Sequence, residues 1–568
     1  MNPFQRGKRR MATLPGFEVS EPSTPFVRFD ASQAFELPNF DALRALSPAL
    51  MRTLVKDLEV DALANRICPV QRADNKVVLL ALAADVAGDQ ADELARRLSA
   101  NGYEMAEPQR YVVSATMLMA IARGQALGTD AVLNCATDST HRTTTLAAAF
   151  HDMVEWGVVN HASDLHINIF LDAPESEVRF TISGRYVLPE RFRGISTGNL
   201  MDMLAVAWMD IRAGNGAVFE PLAEQQGAMN RSVGGRQVLL RWASMAAERG
   251  PSVCLRLLLR DQVAPQNSLM KLGYLPEQVD QIGRVATSEG GAILFAGSVG
   301  AGKSTTLATL MAAIPAHRKV MTLEDPVEYL IPRAVQNTIA RDVDTLSGSR
   351  FATKLMALKR SAMTDVLLGE VRDVETGQAF VDLAGSGVSV YSTTHAASAL
   401  LAGERLASAS VGVPRDFLAT PGVLKMIVYQ VLLPTLCASC ALPASSAKGP
   451  QLVLLDLIQL LFEGDIQSLR FRNPRGCVAC NNRYLPELSG YSGRTVAAHC
   501  LEPALTPGYY EALRSADYST FLGSQAGGAF AVAMTKAFSG QVDPCDIEVR
   551  FHAFETERRL RDARGAHP

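Results

Sequence analysis

Residues 297–306 read "GSVGAGKSTT", preceded by the apolar run "GAILFA" and followed by "TTLATLMAAI". The first eight have the form Gly-x4-Gly-Lys-Ser, a glycine-rich turn between a strand-like and a helix-like segment. Such a turn lets consecutive backbone N–H groups point inward on phosphate oxygens, and the helix that follows adds the positive end of its dipole. Gly297, Gly300, Ala301 and Gly302 supply the turn, Lys303 is placed for the β- and γ-phosphates, and Ser304, beside Thr305, for a magnesium ion. ATP and Mg²⁺ are the expected ligands.

Hydrolysis requires further acidic groups. Two strand-like runs downstream end in carboxylates: "VMTLEDPVEY", with Glu324, Asp325 and Glu328, and "DVLLGEVRD", with Glu370. A carboxylate at the C-terminal end of a central parallel strand stands beside the phosphate loop, where open α/β sheets take their ligands. One carboxylate would hold Mg²⁺ and another would orient water.

The rest of the chain predicts several domains. Its 568 residues exceed a single hydrophobic core. A hydrophobic fraction of 48% and a charged fraction of 20% describe an ordinary globular protein, and a net charge of −3 provides no general attraction to nucleic acid. Residues 1–35 read as a flexible arm without an apolar leader, and no run is long and apolar enough to span a bilayer, so a cytoplasmic location is expected. Residues 36–115 read as a small α/β domain, with helices over "FDALRALSPALMRTLVKDLEV" and "DQADELARRLSANG" flanking the strand "KVVLLALAA".

Residues 116–260 combine the helix "TTTLAAAFHDMVEWGVV" with alternating strands such as "EVRFTISGRYV" and "RQVLLRWAS", as in an antiparallel sheet with one wet face. A linker over 261–274, a parallel α/β core over 275–435 and a helical end over 500–568 complete the expected order. Between them, residues 436–499 carry Cys437, Cys440, Cys477 and Cys480 as two Cys-x2-Cys pairs. Each short loop places two sulfurs on one side of an ion, which suits a closed tetrahedral zinc site. The other five cysteines, Cys68, Cys135, Cys254, Cys500 and Cys545, are scattered and read as small hydrophobes.

In order and spacing, "GSVGAGKSTT", "TLEDPVEY", "LLGEVRDVET" and "STTH" resemble the Walker A, Asp, Walker B and His boxes of the ATPases of type II secretion and type IV pilus assembly. "ASDLHI", "LLRWAS", "CLRLL" and "GYSGRTVAAHCLEP" extend the resemblance over about residues 60–550. It implies a multidomain chain with a RecA-like core, N-terminal α+β domains, the second PAS-like, and a small zinc-binding insert. It also implies that Glu324 activates water, Glu370 holds Mg²⁺ and His395 senses the γ-phosphate. Arg241 and Arg256 would reach nucleotide on a neighbouring subunit. A ring hexamer at the inner membrane is implied, working through a membrane platform protein and a cytoplasmic adaptor; the zinc segment and the weak net charge argue against direct nucleic-acid contact.

The sequence departs from the family in places. "GSVGAGKS" replaces Gly-Pro-Thr-Gly-Ser-Gly-Lys-Ser, and "RSAMT" (360–364) lacks the usual carboxylates, with Asp365 one place on. Val388 stands for a His, and "FTISGR" brings Thr181 and Ser183 where Arg and Asp are usual. Two other functions stay open on these residues: a nucleotide-binding scaffold without turnover, and a DNA-transfer ATPase of a conjugation system.

Overall fold

A computed structural model describes residues 29–565, apart from 39–41, 44, 59, 61–62, 65, 123–138, 213, 265–267, 340–346, 481–484 and 522–527. Most of the expected N-terminal arm, and Cys135, lie outside the described residues. The chain divides into two compact units: residues 1–37, 44–113 and 120–131 in one, the remainder in the other.

The first unit is a five-stranded sheet of order β1-β5-β4-β3-β2, built from Phe35–Glu36 (β1), Leu50–Thr53 (β2), Ile67–Arg72 (β3), Val77–Ala81 (β4) and Met105–Val112 (β5). The run "VVLLA" of β4 is buried throughout, as a strand sandwiched on both faces should be. Helix Asp89–Ala100 follows β4 and turns Leu94 and Leu98 into the core. Inside it, Arg110 donates to Asp92 at 2.5 Å and to the Val86 carbonyl at 2.6 Å.

This unit corrects the sequence reading. The helix expected from residue 40 to residue 60 is interrupted by β2, because Pro48 removes a helical N–H and restricts Ser47 before it. Strands β3 and β5 were not anticipated, since each contains a proline, Pro69 or Pro108. The β4–β5 register shifts between Val77 and Leu79, next to Pro108, where the ladder loses a donor.

In the second unit, helix Ser139–Val159 precedes strands Ala162–Asn168 (β6), Glu175–Ile182 (β7), Arg185–Val187 (β8), Ile195–Ser196 (β9), Gln225–Val233 (β10), Arg236–Met245 (β11) and Ser252–Leu259 (β12). They form an antiparallel sheet of order β10-β11-β12-β6-β7-β8, with β9 on β7. Phe180, Trp156 and Phe192 pack on its inner face, with Trp156 4.6 Å from Phe180 between ring centroids. Strand β10 and helix Thr197–Trp208 are additions to the sequence reading; the alternation of β10 is blurred by Gln225, Gln226 and Asn230.

The core sheet contains Ala292–Ala296 (β13), Val320–Glu324 (β14), Val335–Thr338 (β15), Asp365–Glu370 (β16), Ser389–Thr394 (β17) and Leu424–Leu436 (β18). Its order is β15-β14-β16-β17-β13-β18, all parallel. The expected parallel α/β core is present. Strand β13 shows why its residues are uniformly apolar. Ala292, Leu294 and Ala296 pack with Phe380, Leu383 and Leu406 on one face, while Ile293 and Phe295 pack with Leu307 and Met311 on the other.

The cysteine-bearing segment leaves β18 and includes the short pair Leu442–Pro443 (β19) and Arg470–Phe471 (β20). The chain then returns as Tyr491–Leu501 (β21), antiparallel to β18 at the edge of the core sheet. Helices Tyr509–Ser515, Ala529–Phe538, Pro544–Arg550 and Phe554–Gly565 follow it. A further apolar cluster joins Val431 and Leu433 to Leu454, Ile458, Phe471, Val532 and Phe554. No described helix is long and apolar enough to cross a membrane.

Asp365, the displaced carboxylate that opens β16, is fully buried and paired with Arg318, whose Nε donates to it at 2.8 Å. Arg318 also donates to Ser389 Oγ at 3.1 Å and to the Ala286 carbonyl at 2.9 Å, so one ion pair fastens three elements. Removing one partner leaves an uncompensated buried charge. Asp365→Ala is expected to lower unfolding stability by about 3–5 kcal/mol in chemical denaturation. A change below about 1 kcal/mol, the level of an exposed pair, would contradict this role.

Candidate functional site

The phosphate loop runs from β13 into helix Lys303–Ala312. Gly297, Gly300 and Gly302 adopt φ of 150°, 75° and 82°. A Cβ on Gly297 would stand 2.4 Å from the Gln430 carbonyl oxygen, so only glycine lets the loop lie against β18. Ala301 is buried beneath the turn, and Ser304 at the helix start is exposed toward the cavity described below. Thr305 Oγ1 is 2.9 Å from the Tyr329 hydroxyl, which draws the Asp-box segment onto the helix.

Lys303 Nζ donates to the carbonyls of Gly297 at 2.7 Å and Ser298 at 3.0 Å. Burial lowers its pKa to about 8, an effect that Glu370 and Glu328 partly offset. His395, one residue beyond β17, spans the site. Nδ1 lies 3.1 Å from the Gly297 carbonyl oxygen, and Nε2 lies 3.1 Å from Glu370 Oε1. One imidazole therefore joins the phosphate loop to the end of β16.

Glu324 ends β14 and accepts a hydrogen bond from Gln336 Nε2 at 3.1 Å. Burial pushes its carboxyl above the usual carboxylate range; Gln336 opposes that shift and Glu328 adds to it. Asp325 follows, paired with Arg372 at 3.3 Å and with Arg241 at 3.8 Å. Arg372 also approaches Glu370 at 3.7 Å. A cavity of about 140 Å³ is lined by Ser304, Glu324, Glu328, Glu370 and Arg372 among others. The phosphate-loop serine and both strand-end carboxylates thus face one space. That donor set, a hydroxyl and a carboxylate, suits the hard, oxygen-seeking magnesium ion.

Arg241 and Arg256 face each other across β11 and β12, and Asp164 on β6 is the next residue in that cross-strand row. Like charges placed opposite one another repel unless compensated. Arg256 donates to Asp164 at 3.2 Å, whereas Arg241 donates to the Asp325 carbonyl at 3.0 Å, within the same chain. Of the altered "FTISGR" positions, Thr181 Oγ1 is 2.8 Å from His166 Nε2. Tyr329, Gln336 and Arg372 were not singled out from sequence. Tyr329 and Arg372 lie inside the quoted motifs, but Gln336 has no local signal.

The four cysteines gather at the base of their segment, every Sγ within 4.8 Å of the others. Three separations are 3.8, 3.5 and 3.8 Å, for Cys437–Cys477, Cys440–Cys480 and Cys477–Cys480. Four sulfurs at about 2.3 Å from one tetrahedral zinc stand about 3.8 Å apart, so the cluster has the size the ion needs. Backbone N–H groups of Cys477 and Gly490 each donate to Cys480 Sγ at 3.3 Å, as suits a thiolate.

The chain is 31% identical over 348 residues to type II secretion system protein E of Klebsiella pneumoniae, covering 60% of this chain and 63% of that one. It is 32% identical over 337 residues to type II secretion system ATPase E of Vibrio cholerae, covering 59% and 60%. The match thus spans less than two thirds of these relatives. Among solved structures, the ATPase DotB of Legionella pneumophila superposes with a TM-score of 0.45 at 18% identity, over 71% of this chain and 95% of that one. The pilus retraction motor PilT with bound ADP gives 0.42 at 18% identity, over 70% and 95%. The sequence model described as "Type II/IV secretion system protein" matches residues 140–510, a narrower span than the motifs suggested. The chain belongs to the type II/IV secretion system protein family.

Proposed function

We propose that this chain is an ATP-hydrolysing motor that drives pilus assembly or protein secretion from the cytoplasmic face of the inner membrane. The observation that carries the proposal is the convergence of Ser304, Glu324 and Glu370 on one cavity, with His395 bridging Glu370 to the loop that bears Lys303. In this reading the loop amides and Lys303 hold the phosphates, and Ser304 and Glu370 hold Mg²⁺. Glu324 orients the attacking water, and His395 donates to the terminal phosphate. Bound Mg²⁺ supplies charge neutralisation on the phosphates. Family membership supports a hexamer, with Arg241 and Arg256 exchanging partners at the subunit boundary. A membrane platform protein would be driven, and an adaptor would dock on residues 36–115. The four cysteines would hold a structural zinc.

Glu324→Gln and Glu370→Gln should each reduce phosphate release by about 10²–10⁴-fold while ATP affinity stays within a few-fold of wild type. Turnover within about twofold of wild type in either variant would overturn the assignment.

Because Glu324 must be ionised to accept a proton from water, the low-pH limb of kcat should lie above the ordinary carboxylate range. Gln336 stabilises the charged form, so Gln336→Leu raises the Glu324 pKa further and should move that limb to higher pH. An unmoved or downward-shifted limb would contradict this.

Atomic emission should find about one zinc per chain, lost in Cys437→Ser with Cys480→Ser, together with a lower melting temperature. Zinc-free protein purified from zinc-replete cells, with a melting temperature indifferent to chelator, would exclude the site.

A further inference from the structure

Tyr274 lies on the connector between the antiparallel sheet, which ends at Leu259, and the core, which opens with helix Pro276–Thr287. It lies outside every motif quoted above, yet its side chain is buried behind the phosphate loop. The Tyr274 hydroxyl donates to Gln430 Oε1 at 2.6 Å, and Gln430 Nε2 donates to the Ala301 carbonyl at 2.7 Å. Gln430 is fully buried on β18, so its amide depends on these two partners.

A glutamine amide has one oxygen and one NH2 group, so the group facing one side fixes the group facing the other. With the Tyr274 O–H on its oxygen, the amide must present N–H to Ala301. Without that hydroxyl, the buried amide oxygen loses its donor, and the bond to the Ala301 carbonyl alone holds the amide in place. The same residue's backbone oxygen bounds Gly297, so Gln430 touches both ends of the turn.

The connector is itself held in place. Lys536, buried on helix Ala529–Phe538, donates to the Gly273 carbonyl at 2.6 Å and to Thr495 Oγ1 at 2.9 Å. Gly273 has φ of 106°, and a Cβ there would stand 2.1 Å from Thr495 Oγ1, so no other residue fits this seat. A displacement of the connector therefore breaks the Tyr274–Gln430 hydrogen bond or drags it along.

We infer that Tyr274 and Gln430 are positioning residues for the phosphate loop, through which the seat of the interdomain connector sets the loop's grip on a nucleotide diphosphate or triphosphate. The inference rests on the nucleotide-binding reading above. It makes movement between the two domains and phosphate affinity two expressions of one hydrogen-bonded chain.

The test uses the full-length protein, a fluorescent ADP as probe, and phosphate release as the second readout. Tyr274→Phe removes a single oxygen and Gln430→Leu removes the amide; melting curves set a temperature at which both variants are folded. Tyr274→Phe should weaken ADP binding by about 5- to 30-fold, the effect of leaving a buried amide oxygen without its donor. KM should rise by a similar factor while kcat changes less, a split that general loss of folded protein would not produce. The double variant should bind ADP no more weakly than Gln430→Leu alone. ADP affinity of Tyr274→Phe within twofold of wild type, or independent effects that multiply in the double variant, would overturn the relay while leaving the motor reading intact. A wild-type protein that binds no ADP would overturn both.

Discussion

The close approach of the turn after β13 to strand β18 is the constraint on which the site depends. Two extended backbones at that distance leave no room for a side chain, and Gly297 meets the requirement with φ of 150°. Once the turn is seated, the Gly297 and Ser298 carbonyls accept from Lys303, and His395 Nδ1 lies beside the first of them. Its far end is anchored through Gln430 to Ala301. A loop held on both sides is preorganised, so phosphate binding does not have to supply the entropy of ordering it.

Strand order then assembles the chemistry. Placing β17 between β13 and β16 puts His395 between the loop and Glu370, while β14 beside β16 brings Glu324 to the same rim. The β16–β17 register slips between Leu368 and Glu370. Gly369 sits at that slip, and a Cβ there would stand 3.2 Å from the Leu323 carbonyl oxygen on β14. The rim gathers Glu324, Asp325, Glu328 and Glu370, whose mutual repulsion needs cations nearby. Arg372 and Arg241 supply them, the first from the core and the second from the antiparallel sheet. The second domain is thus electrostatically tied to the residue next to the proposed water-orienting glutamate.

The parts of this arrangement that were legible in the sequence are those encoded by local pattern. Glycine spacing, apolar runs ending in carboxylates and paired cysteines each report a short-range geometric demand, and the core strands β13, β14, β16 and β17 follow from them. The illegible parts are long-range. Gln336, Gln430 and Tyr274 are ordinary polar residues whose roles arise from partners across the sheet; the hydrogen bond from Tyr274 to Gln430 joins residues 156 positions apart. Asp365 stands one place from the family's acidic position, and the buried partner that accounts for it, Arg318, is 47 positions away. Strands β3 and β5 were hidden by Pro69 and Pro108, which local propensity counts against a strand and tertiary pairing accommodates.

The most direct measurement is a structure of the intact assembly with Mg²⁺ and a non-hydrolysable ATP analogue. The account predicts that Glu370 reaches the metal directly or through one water. It also predicts Glu324 within about 2.6–3.2 Å of a water in line with the terminal phosphorus, in at least one subunit state. Phosphates seated away from Lys303, with both carboxylates beyond that reach in every subunit, would contradict it.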